Sequence, residues 1–457
     1  MTPIKKALKQ KSFEYLFLLY ILLQPIIDII TSVSLLVFEQ SFTFGTMIRF
    51  IVMIIGLVYL YVNRKQLNNH AKLMFYMVVL GLFFILSLLM NWSLKSPFQL
   101  GAEVTYIIKI VYFIVMFFTY FMVMKKMSRI DINWANTIQA FVFYSMTFLS
   151  FSMVIAGLTG TAFNSYQYSK IGHKGWFFAA NELGAILSIG FPIVLLYCIR
   201  HTTSLKKWYL WLSAIAMLYS LFALGTKVGF GAILLTLVIS IIMSIYQFFK
   251  DRKTKPAFHY VAIVIQVVML FGALIYTPFS PIIKNTSIHI GLLDDQENQK
   301  KGEAAEKNEE VEEEDNQKMQ QLMLSGRDYY LSIQKKYYRD APVIQKFFGM
   351  GYAGNYQEKP KLIEMDLHDL FYSLGIFGFL LYILPFVYVL FQILKWLLLH
   401  LKTNLNLEHS LVGTSLLLGL GIAITAGHVI TAPAVSIYLA IMLGYLFISL
   451  RPGQDDE

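Results

Sequence analysis

Apolar residues in this chain come in long, nearly unbroken runs, twelve in all, near 13–37, 43–62, 72–91, 103–124, 134–158, 177–199, 208–224, 228–248, 258–277, 367–392, 409–427 and 431–450. Runs of about 20 residues are long enough to cross a ~30 Å hydrocarbon core as helices. The pattern predicts an all-α, polytopic membrane protein with about 12 transmembrane helices. No small-residue cleavage site follows the first run, which is itself long enough to span, so it reads as an uncleaved first helix.

The polar breaks divide the chain into 1–278 (helices 1 to 9), a large loop over 279–366, and 367–457 (helices 10 to 12). Within the loop, 294–316 reads DDQENQKKGEAAEKNEEVEEEDN, with eleven acids, three lysines and no aromatic residue. Such a composition buries too little apolar surface to offset its conformational entropy, so a flexible acidic insert is expected. The part from 325 to 366 differs. Ser325-Gly-Arg327-Asp328 has the serine-then-acid spacing of a helix start, and Tyr330, Ile333 and Tyr337 share one face before Pro342, which predicts a short amphipathic helix on the outer surface. Phe347-Phe-Gly-Met-Gly-Tyr352 allows a tight turn or close backbone approach. Asp366-Leu-His-Asp369 then stands at the lip of the tenth helix.

Composition agrees with this class: 57% of residues are hydrophobic and 14% charged. The net charge of +10 is distributed by side. Alternate connections hold twenty Lys and Arg against four in the short connections opposite, which predicts cytoplasmic termini and an extracytoplasmic large loop in the cell membrane. The basic balance is thus a topology signal and excludes nucleic acid as a partner. Cys198 is the only cysteine, so no disulfide can staple the loop.

Counting ~1.5 Å per residue along each predicted helix places Asp28, Arg49, Glu103, Lys109, Asn181, Glu182, Lys227, His368, Asp369 and His428 in the outer half. A charge within the membrane costs ~2.5 to 3.5 kcal/mol on insertion scales and usually faces a wet cavity or the bundle interior. Glu103, Lys227 and Asp369 are close enough to helix ends to reach water by snorkelling. Arg49 or Lys109 can pair with Asp28 for structure alone. The shared depth of these groups predicts a polar cavity open to the outside.

The succession Asn181-Glu-Leu-Gly184, Gly225-Thr-Lys227, Ser325-Gly-Arg327, Phe348-Gly-Met-Gly351 and Leu367-His-Asp-Leu370 leading to Gly375-Ile-Phe-Gly378 resembles the O-antigen ligase and Wzy-type polymerase superfamily. The resemblance covers roughly residues 135 to 395. It implies a GT-C-like fold and a glycosyltransferase of polysaccharide biosynthesis that uses an undecaprenyl-diphosphate-linked glycan donor, with a glycan acceptor as second partner. Lysine at 227 and aspartate at 369 depart from the arginine and asparagine frequent in that superfamily. Lysine is a point charge and lacks the bidentate fork of arginine.

Transfer from a lipid diphosphate needs fixed cations for the leaving group and a base for the attacking hydroxyl. Arg327 is the first choice for the diphosphate clamp, assisted by Lys227, Arg49 and Lys109. His368 is either the base, with Asp366 or Asp369 fixing its tautomer, or a donor to a phosphate oxygen. Asn181 and Asp28 are supporting residues. Tyrosines 329, 330, 337, 338, 352 and 356 suit sugar stacking or interfacial anchoring. Asp366-x-His368-Asp369 lacks the rest of a metal shell, Gly349-x-Gly351 lacks the Lys-Ser or Lys-Thr of a phosphate loop, and no serine elbow is present, so neither metal nor cofactor is expected. Polymerisation of repeat units is expected ahead of ligation to a surface acceptor, on the resemblance of the lysine-rich style to chains from bacteria with one membrane. A transporter or flippase is the rival class, and a scaffold for other polysaccharide-assembly proteins a third. A transporter would need a polar route to the cytoplasmic side, where the helices carry almost no charge.

Overall fold

In the computed structural model, which describes residues 13–38, 43–66, 69–166, 170–250, 259–288, 290–291 and 327–451, the apolar runs are helices. The first half contains α1 (Glu14–Leu36), α2 (Phe44–Asn63), α3 (His70–Leu94), α4 (Leu100–Ile130), α5 (Trp134–Leu158) and α6 (Ala180–His201). Then come α7 (Leu210–Leu224), α8 (Lys227–Lys250) and α9 (His259–Tyr276), followed by the loop helices α10 (Arg327–Asp340) and α11 (Val343–Phe348). The chain closes with α12 (Asp366–Leu399), α13 (Leu407–Thr425) and α14 (Pro433–Ser449). Among the described residues ten helices are long and apolar enough to span a membrane, and the protein is a multi-pass, all-α membrane protein. The other two of the twelve predicted runs are the shorter α7 and α14, of 15 and 17 residues. The acidic insert 294–316 and Ser325 lie outside the described residues.

Burial decides which helix is central. Every residue from Leu183 to Ile199 is buried, which makes α6 the axis of the bundle. A helix apolar on all sides has no lipid or water face to satisfy, and α5, α7, α8, α13 and α14 enclose it. The periphery is the reverse: Val62 on α2 and Phe75 on α3 are 68% and 72% exposed, an apolar surface suited to lipid.

The loop helices are fastened to α12 by a break in that helix. Gly375 has φ +65° and interrupts the helical geometry. The break frees the carbonyls of Tyr372 and Ser373, which accept the N–H groups of Met350 (3.0 Å) and Gly351 (3.1 Å). A Cβ on Gly349 or Gly375 would collide with the backbone of the other strand of this clasp, and both residues have left-handed φ, so glycine is required at each. Glu103, expected to snorkel, instead lies buried beneath the clasp. Its carboxylate takes Lys95 Nζ at 2.6 Å and the Tyr352 N–H at 2.7 Å. Above this, α10 lies along the loop with Gln334 as its buried residue, donating to the Ala353 carbonyl at 2.8 Å.

Candidate functional site

Two hollows open at the end of the bundle that carries the loop, and the first turn of α6 separates them. Asn181 faces the smaller, a space of about 240 Å³. Glu182 faces the larger, of about 580 Å³. The partition is fixed because α6 is locked on all sides below this turn, so neighbouring residues at its tip are presented to different chambers.

Cations dominate the smaller hollow. Lys170, Lys227 and Arg327 line it, with Tyr166 and the backbones of Gly225 and Gly427. Lys227 is the first residue of α8 and follows Gly225, whose left-handed backbone (φ +69°) ends α7 and turns the chain. Asn285 holds that turn: its amide donates to the carbonyls of Gly225 (2.9 Å) and Ile171 (2.7 Å). The unsatisfied N–H groups at the start of α8 add a positive helix end to the same space. Burial lowers the Lys170 ammonium below its ordinary pKa, and Arg327 lowers it further. Burial likewise lowers Arg327, with Glu364 and Asp369 opposing. Crowded like charges of this kind favour an anion between them.

Among the described residues Glu364 is an anion beside this cluster, at 3.8 Å from Arg327, 3.5 Å from His428 Nε2 and 2.6 Å from Lys361. Its carboxyl is held down at about 2, first by His428 and then, against burial, by Lys361. His428 is raised: burial opposes its charge, and Glu364 outweighs burial with help from Glu182 and Asp366. Both residues have left-handed backbones, φ +65° at Glu364 and +59° at His428. Non-glycine residues there carry strain that the surroundings must enforce.

The enforcement comes from the two aspartates that begin α12. Asp366 accepts the N–H groups of His428 (3.1 Å), Val429 (2.8 Å) and Ile430 (2.7 Å), and the Thr431 hydroxyl (2.7 Å). Asp369 accepts those of Ile363 (2.8 Å), Glu364 (3.0 Å) and Met365 (3.3 Å). One aspartate therefore shapes the His428 loop and the other the Glu364 loop. Three backbone donors shared over both oxygens also give a reason for a carboxylate at 369, since an amide offers only one accepting atom.

Of the residues singled out in the sequence, Arg327, Lys227 and Asn181 meet in the smaller hollow, and Arg49, Lys109 and Asp28 meet in the larger. Arg49 and Asp28 form an ion pair, with Gln24 Oε1 accepting from the same guanidinium at 3.4 Å. The expectation that all these cations serve one diphosphate is thus divided between two chambers. The expectation that Asp366 or Asp369 orients His368 is corrected, because their carboxylates are occupied by the backbone of two loops. His368 lines neither hollow. Its Nδ1 is buried without a hydrogen-bond partner among the described residues. In the sequence Lys170 is one of the four basic residues of the short outer connections and signals only topology, and Glu364 gives no signal: an acid in a polar loop carries no periodic pattern, and its strained backbone is visible only in three dimensions.

Among the described residues the fold and site define a multi-pass, all-helical membrane protein whose loop end gathers cations around a small chamber. The chain belongs to the family of O-antigen ligase like membrane proteins, whose sequence profile matches residues 10–452. The match includes the first four helices, beyond the region that carries the motif resemblance. Membership gives the protein a ligase or polymerase role in glycan assembly, as a glycan-transferring membrane enzyme. Compared with curated proteins one by one, the chain matches none.

Proposed function

We propose that this protein is a glycosyltransferase that takes oligosaccharide from undecaprenyl diphosphate at the outer face of the cytoplasmic membrane, with both termini inside, and polymerises repeat units of a cell-surface polysaccharide. The observation that carries the proposal is the meeting of Lys170, Lys227 and Arg327 around one chamber at the start of α8. In the reaction the bond from the anomeric carbon to the diphosphate oxygen breaks, the acceptor hydroxyl oxygen bonds that carbon, and the diphosphate leaves with the electron pair while the hydroxyl proton passes to it or to solvent. Arg327 and the two lysines neutralise that growing charge. Donors fixed in place before the reaction begins typically lower such a barrier by ~2.7 to 4 kcal/mol each.

The Glu364 carboxylate stands 3.8 Å from Arg327, too far for a hydrogen bond, and its charge helps to orient the guanidinium. His368 stands in the first turn of α12 outside both hollows, and a role for it as base or as donor to a phosphate oxygen would need substrate that reaches beyond them. The unbroken burial of α6 from Leu183 to Ile199 favours transfer chemistry over transport, because the axis beneath both chambers is packed shut.

The family's description as ligase-like favours ligation to a separate surface acceptor as second reading, since donor chemistry is shared. Both are tested by supplying purified protein with an undecaprenyl-diphosphate-linked repeat unit. A ladder of longer lipid-linked products is expected, and is expected to vanish in Arg327→Ala. Transfer only when a different acceptor is added would replace polymerase by ligase. No glycosidic product with either acceptor would end the transferase reading.

A further inference from the structure

The larger hollow is a built chamber that diphosphate chemistry does not require. It lies across the first turn of α6 from the cationic one, so occupants of the two would be neighbours. Its charges balance: Asp28 neutralises Arg49 in an ion pair, and Glu182 and Lys109 contribute one of each sign. A chamber with no excess charge does not select a phosphate. Among the described residues neither Glu182 nor Lys109 makes a hydrogen bond or ion pair, so a carboxylate and an ammonium face the space with their capacity unused. The hydroxyls of Thr31 and Thr105 donate back to their own helices, at 2.7 Å to Ile27 O and 2.6 Å to Gly101 O, which leaves their oxygens as acceptors. Phe50 and Phe178 remain 42% and 44% exposed and line the same hollow, with Lys174 Nζ 5.5 Å from the centroid of the Phe178 ring.

An anionic acceptor, a cationic donor, hydroxyl oxygens and open aromatic faces are together the chemistry that recognises a neutral sugar, which offers many hydroxyls and apolar C–H faces but no charge. Resting on the transferase reading above, we propose that this hollow is the acceptor-sugar subsite, in which Glu182 accepts hydrogen bonds from the hydroxyls of the acceptor's terminal sugar. A chamber of about 580 Å³ has room for one to a few rings. Glu182 then fixes which acceptor sugar is turned toward the donor held beyond the α6 partition.

Because Cys198 is buried and is the only cysteine, a thiol introduced at either hollow gives a labelling signal of its own. The probes are glycan released by mild acid from the lipid-linked repeat unit, and inorganic diphosphate. Released glycan is expected to slow modification of Thr105→Cys by a small methanethiosulfonate reagent at least about fivefold and to leave Asn181→Cys unaffected, with diphosphate doing the reverse. Adding Glu182→Gln to Thr105→Cys is expected to abolish the protection. In transfer assays Glu182→Gln is expected to raise KM for the glycan acceptor by about 10- to 100-fold, the loss of one charge-assisted hydrogen bond, with donor KM unchanged. Unchanged Thr105→Cys labelling at glycan concentrations that wild-type protein elongates would overturn the subsite and leave the transferase reading standing. Protection of Thr105→Cys in a protein that forms no glycosidic product would show a sugar-binding hollow but overturn its role as an acceptor site together with the transferase reading.

Discussion

Glu364 and His428 meet at 3.5 Å from two loops far apart in sequence, and both do so from left-handed backbones. Neither conformation is favourable for a residue with a side chain, so the pair depends on what holds the loops. Asp366 and Asp369, one helical turn apart, hold one each. The cationic chamber is thereby tied to the start of α12, and the following expectations test that connection.

Arg327→Ala is expected to lower transfer by about 10²- to 10³-fold, the usual effect of removing one donor from a developing anion. Arg327→Lys is expected to recover only part of this, because lysine restores the charge without the planar fork. Steady-state rates with purified lipid-linked donor measure both. A lysine variant as active as wild type would show that a point charge is enough at this position.

Asp366→Ala is expected to destabilise the protein by roughly 3 kcal/mol or more. It removes the acceptor for three backbone N–H groups and a hydroxyl, and each buried donor left unsatisfied costs about 1 to 3 kcal/mol. The readout is the thermal midpoint in detergent. A midpoint within the scatter of wild type would mean that the 428–431 loop finds other partners.

The Glu364–His428 pair makes stability depend on pH in a stated direction. Glu364 is depressed to about 2, so its contribution is present above the ordinary carboxylate range and is lost only as pH falls toward 2. His428 is raised, so its contribution is fully present below the ordinary imidazole value of about 6.5 and is lost as pH rises through its higher folded value. The pair therefore stabilises most from about pH 4.5 to 6.5 and weakens on the alkaline side. His428→Gln is expected to flatten the fall in thermal midpoint between pH 6 and 9; an unchanged slope would assign that fall to other groups.

Beneath the glycine clasp, Glu103→Ala is expected to cost about 3 to 5 kcal/mol by leaving Lys95 as an uncompensated buried charge. The double variant Lys95→Met, Glu103→Leu is expected to be less damaging than Glu103→Ala alone, since it removes both charges and leaves only the neutral N–H and carbonyl of Tyr352 without their partners. Thermal midpoints of the three variants give the comparison, and a double variant worse than the single would show the pair to be net stabilising.

The membrane helices were legible because apolar length is a one-dimensional signal. Where it faded was at α7 and α14, whose short helices lie among other helices and need no full crossing length. Arg327, Lys227 and Asn181 were also within reach, being charged or polar residues at helix ends in an otherwise oily chain. Two things were not. One is the split into two chambers, which follows from Asn181 and Glu182 lining different hollows from one helix tip. The other is the service of Asp366 and Asp369 to backbone: an Asp-x-His-Asp sequence looks like a set of chemical groups, and only the fold shows that the acids are occupied by loops from both flanks.

The complete enclosure of α6 bears on how the enzyme meets different lipids. Thicker or thinner bilayers are accommodated by tilting the helices that touch acyl chains, and here those are exposed ones such as α2 and α3. An axis wrapped only in protein has no annular lipid to answer to. The depth of Asn181 and Glu182 should then stay constant while the outer ring adjusts, so that turnover is insensitive to the acyl length of the host membrane.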